Sequence, residues 1–335
     1  LLFLEIDKFF ENIVLQKRSF LNLPTLMNTM KRTHALAEAL FVTFLWSTSY
    51  VLIKLGLKEL NPITFAAYRY LLGSLALILF VFRLYGIRQV RITSKQVLWF
   101  IFLGFTGYFI AQGLQFVGLY YLPAITVTFI LNLTPVFVVV LSTIFLREVP
   151  SFIQLLGIIF VLLGVRVFFI GSTLIFNEAL GIVVTLISGI GWATYMVLMR
   201  HYLRKNQENV IGLTAWSMTL GSLMLFGAAI FSGNLTMPSH RGWIIILFLS
   251  VVNTALAFVL WNHPLKTLKA YEQSILQNTM LIQITLLAYV FLKETLTLYK
   301  IVGMSMVFCG VLLVQLYPAI REGKVGNLSN NLKPQ

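Results

Sequence analysis

Ten stretches of the chain are almost continuously apolar, each bounded by charged residues or by Pro and Gly. They lie near residues 34–54, 64–82, 97–119, 124–145, 152–170, 179–200, 210–231, 242–262, 270–292 and 298–317. A hydrocarbon layer about 30 Å thick is crossed by about 20 residues of α-helix, which is the length of these runs. None shows the alternating polarity of barrel strands, and backbone in lipid has to satisfy its own hydrogen bonds. The pattern therefore predicts an all-α integral membrane fold of ten transmembrane helices.

Composition agrees and narrows the class. With 59% hydrophobic and 11% charged residues, the 335-residue chain has too much apolar surface to bury in a soluble fold. The net charge of +14 would suit nucleic acid, but the basic residues fall in short groups between apolar runs and form no patch, so no nucleic-acid partner is expected. They read as topology signals. The single cysteine, Cys309, sits inside an apolar run and implies no disulfide framework. Residues 1–33 are expected to be a cytoplasmic N-terminal extension. The sequence opens on leucine, and Met27 and Met30 are candidate starts; an interfacial amphipathic helix is the alternative for this segment. Residues 318–335 form a cytoplasmic C-terminal tail.

The chain repeats itself at a constant offset of 146 residues. Trp46 matches Trp192, Ala124 matches Ala270, Asn132 matches Asn278 and Glu148 matches Glu294; Gly157 and Gly164 match Gly303 and Gly310. The pairs Thr128/Ser274 and Arg147/Lys293 keep the register. Unrelated apolar sequences agree freely in Leu and Val but seldom in Trp, Asn and Glu. The units are residues 34–170 and 179–317. Five spans per unit is an odd number, so the second unit enters the membrane from the opposite side and the halves are inverted. Loop charges agree: 18 Lys/Arg lie on the face carrying both termini and 5 on the other, which by the positive-inside rule places both termini in the cytoplasm; the plasma membrane is the expected location.

The stretch from Phe44 to Leu77 shows Trp46, Ser47, Ser49 and Lys54 in the first span, then Pro62, Arg69 and Tyr70 in the second. Each half closes on a Glu followed by a Gly-x6-Gly pair, with Arg147 and Lys293 preceding the Glu. These motifs resemble the EamA-domain halves of the drug/metabolite transporter superfamily over residues 34–317, although that family usually has Gly where Arg147 and Lys293 stand. The resemblance implies a ten-helix inverted-repeat carrier, often an exporter of amino acids or other metabolites.

In such carriers the substrate sits near the midplane between the halves. Ala124/Thr128/Asn132 and Ala270/Ser274/Asn278 form small-hydroxyl-amide stripes, each on one helix face by its four-residue spacing. Two such faces suit a zwitterion or a hydroxylated solute; helix-to-helix hydrogen bonding is the competing role. Trp46 and Trp192 fall mid-span, away from the interfacial belt, with Tyr50 and Tyr195 a turn away; pathway wall and close packing are both open to them. Tyr108 and Gln112 are further substrate-binding candidates, and their offset partners are the dissimilar Thr254 and Phe258. Arg69 lies inside a span, where it could pair a substrate carboxylate, snorkel or bridge helices. Glu38 and Glu272 are the carboxylates that reach into spans, so coupling to a proton would run through them, with exchange of a second solute as the alternative. Pro135, with Leu281 as its counterpart, predicts a kink in one half only.

An enzyme is disfavoured. Asp7 is the only aspartate, the four histidines have no metal-ligand spacing, and no phosphate-binding GxxxxGK[ST] loop occurs. Neither cofactor nor metal is expected. The functional expectation is secondary transport of a small polar metabolite by alternating access, with a channel or a membrane scaffold as alternatives.

Overall fold

The apolar runs fold as helices throughout the computed structural model, which describes residues 23–86, 94–146, 150–171, 175–205, 210–262 and 270–331. In chain order these are α1 (Leu23–Gly56), α2 (Pro62–Tyr85), α3 (Ser94–Gly104, Phe105–Gln112 and Gly113–Tyr121), α4 (Ala124–Leu131 and Thr134–Leu146) and α5 (Phe152–Phe168). The second half follows as α6 (Phe176–Lys205), α7 (Val210–Phe231), α8 (His240–Ser250, Val251–Leu256 and Ala257–Asn262), α9 (Ala270–Leu287 and Ala288–Leu292) and α10 (Leu298–Asn331). Among the described residues, seven helices are long and apolar enough to cross a bilayer, and the apolar parts of α5, α9 and α10 are shorter. Ten helices in two inverted halves is the fold that the runs and the offset predict. α1 starts at Leu23, so it extends beyond the apolar span, which itself runs from Thr33 to Gly56.

Polar residues between the runs set the helix ends. Asn61 caps α2 by accepting from the Ile63 N–H at 3.0 Å, and Pro62 occupies the first turn, where no N–H is needed. Ser151 and Gln154 form a reciprocal capping box at the start of α5. Ser239 caps α8 through the Gly242 N–H, and its own hydroxyl donates to Glu59 at 2.8 Å, tying the α1–α2 loop to α8.

The glycine pairs show the symmetry most directly. A Cβ on Gly157 would stand 2.7 Å from the Gly310 carbonyl oxygen, and one on Gly164 would stand 2.9 Å from that of Gly303. The offset carries the first contact onto the second, so α5 and α10 cross antiparallel about a local two-fold axis, backbone against backbone. α2 and α7 form a second symmetric pair, as do α4 and α9. α1 packs against α8 and α9, and its counterpart α6 packs against α3 and α4.

α4 is interrupted at Asn132 and Leu133, and its second piece begins at Thr134 with Pro135 in its first turn. The Leu281 counterpart lies within the unbroken Ala270–Leu287 helix, so the asymmetry expected from Pro135 is present.

Candidate functional site

Two helices are locally widened at equivalent places. Residues Phe105–Gln112 of α3 and Val251–Leu256 of α8 are π-helical, and both segments begin at positions related by the 146 offset. A π turn adds a residue to the helical repeat and swings side chains off the regular faces, a feature frequent at functional sites. Here the widened turns bury Tyr108 in one half and Asn253 and Thr254 in the other.

Around the α8 turn lies a polar cluster. Asn253, 1% exposed, donates to the Leu45 carbonyl, to Thr48 Oγ1 at 3.0 Å and to Ser49 Oγ at 2.9 Å, all on α1. Its Oδ1 is enclosed and has no hydrogen-bond partner. Arg69 of α2, 5% exposed, donates from Nε to Thr254 Oγ1 at 3.3 Å and from Nη2 to Ser49 Oγ at 3.4 Å. Its guanidinium carbon lies 5.2 Å from the Tyr70 ring centre and 5.8 Å from that of Phe116. Among the described residues no carboxylate pairs with it. Arg69 is therefore a buried bridge to α1 and α8, well inside the span, and not a snorkelling side chain.

The expected binding residues join this cluster unevenly. Tyr50 is buried with its hydroxyl against Thr128, near Arg69 and Tyr70. The Tyr70 hydroxyl donates to Gln112 Oε1 at 2.5 Å. Tyr70, Tyr108 and Tyr195 follow one another edge to face at 5.8 Å, and Tyr195 stacks on Trp192 at 4.9 Å, giving a continuous aromatic file from α2 through α3 to α6. The Tyr108 hydroxyl is buried near those of Tyr195 and Ser217 without completing a well-formed hydrogen bond. Trp46 stands elsewhere, against Trp261 at 4.9 Å and Phe258 at 5.7 Å on α8.

The amide stripes fare differently. Thr128 Oγ1 donates to the Ala124 carbonyl at 2.8 Å and Asn132 Nδ2 to the Thr128 carbonyl at 2.9 Å, so both donors are engaged within α4. Asn278 is buried in α9. An inverted repeat also sets the two amides at different depths: each lies eight residues, about 12 Å, from the start of its helix, but these starts are on opposite membrane faces. Glu38 is half-buried near the start of the α1 span. The side chains of Ser274 and Glu272, and the whole of Arg147 and Glu148, lie outside the described residues.

On the face away from the termini, one charged group joins the halves and another ties two helices of the first half. The Glu294 carboxylate, beyond the end of α9, accepts from the Ala124 N–H at 2.6 Å and the Ile125 N–H at 2.9 Å, capping the free N-terminus of α4. Lys54 Nζ donates to the Leu119 and Leu122 carbonyls at 2.8 and 2.9 Å at the end of α3. The left-handed backbone of Lys293, φ 57°, ends α9 and turns Glu294 toward α4. These four helix ends are thereby sealed against one another.

A second polar seam runs between α1 and α9. Ser47 Oγ donates to Gln283 Oε1 at 2.8 Å, and Gln283 Nε2 donates to Thr43 Oγ1 at 3.2 Å and Thr279 Oγ1 at 3.3 Å. The equivalent contact between α6 and α4 is apolar: Gly189 and Ala193 stand for Thr43 and Ser47, Leu133 and Phe137 for Thr279 and Gln283. Neither Asn253 nor Gln283 emerges from the offset, because their counterparts are Gly107 and Phe137. The available signal was a polar amide in an otherwise apolar run.

Two inverted five-helix halves around a polar and aromatic interior define a multi-pass membrane transporter. The chain belongs to the EamA-like transporter family, which matches it twice, at residues 35–170 and 179–316. Among its relatives, an uncharacterized transporter of Archaeoglobus fulgidus is 27% identical over 289 residues, covering 84% of this chain and 96% of the relative. The uncharacterized transporter YyaM of Bacillus subtilis is 23% identical over 290 residues, covering 84% and 94%. A solved crystal structure of a protein superposes with a TM-score of 0.62 over 85% of this chain and 96% of that one; at 17% identity it speaks to the fold alone.

Proposed function

We propose that the chain is a secondary carrier that exports a small polar metabolite, an amino acid or a similar solute, across the plasma membrane by alternating access. The observation that carries this reading is the Glu294 and Lys54 seal. Two of its hydrogen bonds, from Glu294 to the start of α4, join the halves at one face, and the two from Lys54 tie α1 to the end of α3 beside them, while the polar and aromatic groups lie deeper. Such bonds can exchange for water when a face opens, whereas the glycine-to-backbone contacts of α5 and α10 cannot loosen without loss of packing. Rocking of one repeat against the other would break the seal and leave α5 and α10 in register.

In this reading residues 34–170 and 179–317 are the moving units, flanked by the extension at 1–33 and the tail at 318–335, and both termini face the cytoplasm. The solute is handled by Tyr50, Tyr70, Tyr108, Gln112, Trp192 and Tyr195, with Trp46, Thr128, Asn132, Ser274 and Asn278 lining its path. Glu38 and Glu272 serve a coupling proton, or a second solute is exchanged. The test is the melting temperature of the purified protein in mild detergent against amino acids, nucleosides, sugars and polyamines, repeated on Tyr70→Phe with Gln112→Ala and on Asn132→Ala with Asn278→Ala. Binding to the folded state raises the midpoint. A solute that stabilises the parent and fails on the first variant supports the aromatic file, and failure on the second supports the amide stripes. Equal stabilisation of all three proteins removes both sets from the site.

A further inference from the structure

The charge on Arg69 has no counter-charge among the described residues, and that imbalance points to a ligand. Arg69 is 5% exposed, about 10 Å below the end of α2, and the two hydrogen bonds of its guanidinium, at 3.3 and 3.4 Å, are long and made to neutral hydroxyls. Charge-assisted bonds to a carboxylate are normally 2.7–2.9 Å, and a buried cation without an anion costs more than neutral partners return. Among the described residues no hydrogen bond is made by Nη1. The described carboxylate on the neighbouring helix end, Glu294, is committed to the α4 N-terminus, and Glu59 is held by Ser239. Tyr70 and Phe116 wall the cation on its ring-facing side, which lowers the local dielectric and raises the value of an anion there.

A second observation falls at the same place. Asn253 and Arg69 both bond to Ser49 Oγ, yet Asn253 Oδ1 is a buried acceptor with no donor. Its amide orientation is fixed, because the Leu45 carbonyl can only accept and so requires Nδ2 on that side. One unneutralised cation and one unfilled acceptor thus share a hydroxyl between α1, α2 and α8.

Resting on the carrier reading above, we infer that Arg69 is the anion anchor of the transport site, and that the solute is a small molecule with a single carboxylate that pairs with Arg69 and an adjacent N–H or O–H donor that fills Asn253 Oδ1. One cation without a second beside it, among the described residues, selects a single negative charge over a phosphate dianion. Arg suits a carboxylate because its fork offers two parallel donors.

The probes are matched sets: the common amino acids and C3–C6 hydroxy acids at 10 mM, the amide of each, and inorganic phosphate. Full-length protein in mild detergent is melted with each, as parent, Arg69→Gln, Arg69→Lys and Ser49→Ala. The expected result is that at least one carboxylate raises the parent midpoint by several degrees, its amide and phosphate do not, Arg69→Gln abolishes the shift and Arg69→Lys retains part of it. Without ligand, Arg69→Gln melts no lower than the parent, since it sheds a buried charge; a bridge whose role is purely structural would melt lower. Equal shifts from an acid and its amide, a full shift in Arg69→Gln, or a panel in which no carboxylate shifts the parent overturns the proposal. Should Arg69→Gln fail to fold, Ser49→Ala and Arg69→Lys decide, because each must weaken carboxylate binding at least several-fold. Flux assays separate this claim from its premise: saturable transport of a neutral or cationic solute retains the carrier and removes the anion anchor, whereas absence of any flux removes the carrier.

Discussion

Replacing Glu294 by Gln removes the charge from the seal between the halves while keeping the side chain's size. The carboxylate now accepts from two backbone N–H groups of α4, at 2.6 and 2.9 Å. Gln can still accept one of these bonds through its carbonyl. The loss is therefore one charge-assisted bond, about 1.5–3 kcal/mol, together with the favourable placement of a negative charge at a helix N-terminus, about 0.3–1 kcal/mol. About 2–4 kcal/mol corresponds to a shift of about 30- to 900-fold in the equilibrium between sealed and open helix ends. Water reaches this face and satisfies the freed N–H groups, so the lower end of that range is expected. The reporter is a cysteine at Ile125, which is fully buried in the first turn of α4, placed in a Cys309→Ser background. Its maleimide labelling rate follows the open population when opening and closing are fast. The Glu294→Gln protein is expected to label at least tenfold faster than its parent, with the overall melting midpoint lowered by only a few degrees. Labelling rates within twofold of each other would refute the reasoning, since the seal would then contribute nothing to closure.

Gly157→Val or Gly164→Val forces a side chain against a backbone oxygen of α10, and either is expected to abolish a monodisperse peak in size-exclusion chromatography; a folded variant within 2 °C of the parent would contradict the close packing. Asn253→Leu removes three donor contacts to α1 and also one unpaired acceptor. A net loss of about 1–2 kcal/mol is expected, read as a lower melting midpoint, and an unchanged midpoint would mean that the bonds and the orphaned oxygen cancel. Gln283→Leu breaks the α1–α9 seam at about 0.6–2 kcal/mol, whereas Phe137→Leu at the equivalent apolar contact should cost about 1 kcal/mol through lost packing alone; equal response of the two to added denaturant slope would argue against a polar role.

The sequence spelled out the helices, their number and their inversion because these follow from what the solvent demands of each run. Continuous hydropathy reports that a segment lies in lipid, and the Trp, Asn, Glu and Gly matches report the repeat. It did not reveal which face of each helix points inward at the site. The four-residue stripe through Thr128 and Asn132 assumes an unbroken helix, yet α4 ends its first piece at Leu131 and Asn132 turns its amide back onto the Thr128 carbonyl. The π turns in α3 and α8 displace side chains from regular spacing, so Asn253 and Thr254 could not be ranked above other polar residues in an apolar run. Arg69 was visible as an intramembrane cation, but only the fold shows that it is buried and bonded to Ser49 and Thr254. Trp46 and Trp192 matched in sequence and parted in space because the offset relates surroundings across an axis and does not bring equivalent residues together.

Alternating access is tested most directly by counter-flow in proteoliposomes loaded with an unlabelled mixture of the common amino acids and hydroxy acids, with the corresponding radiolabelled mixture outside at trace level. The account predicts a transient overshoot of label above the equilibrium level, lost when the inside is unloaded and strongly reduced in Arg69→Gln. Uptake that rises to equilibrium with no overshoot and no saturation would contradict a carrier and indicate a channel, and no uptake above empty liposomes would contradict transport of these solutes altogether.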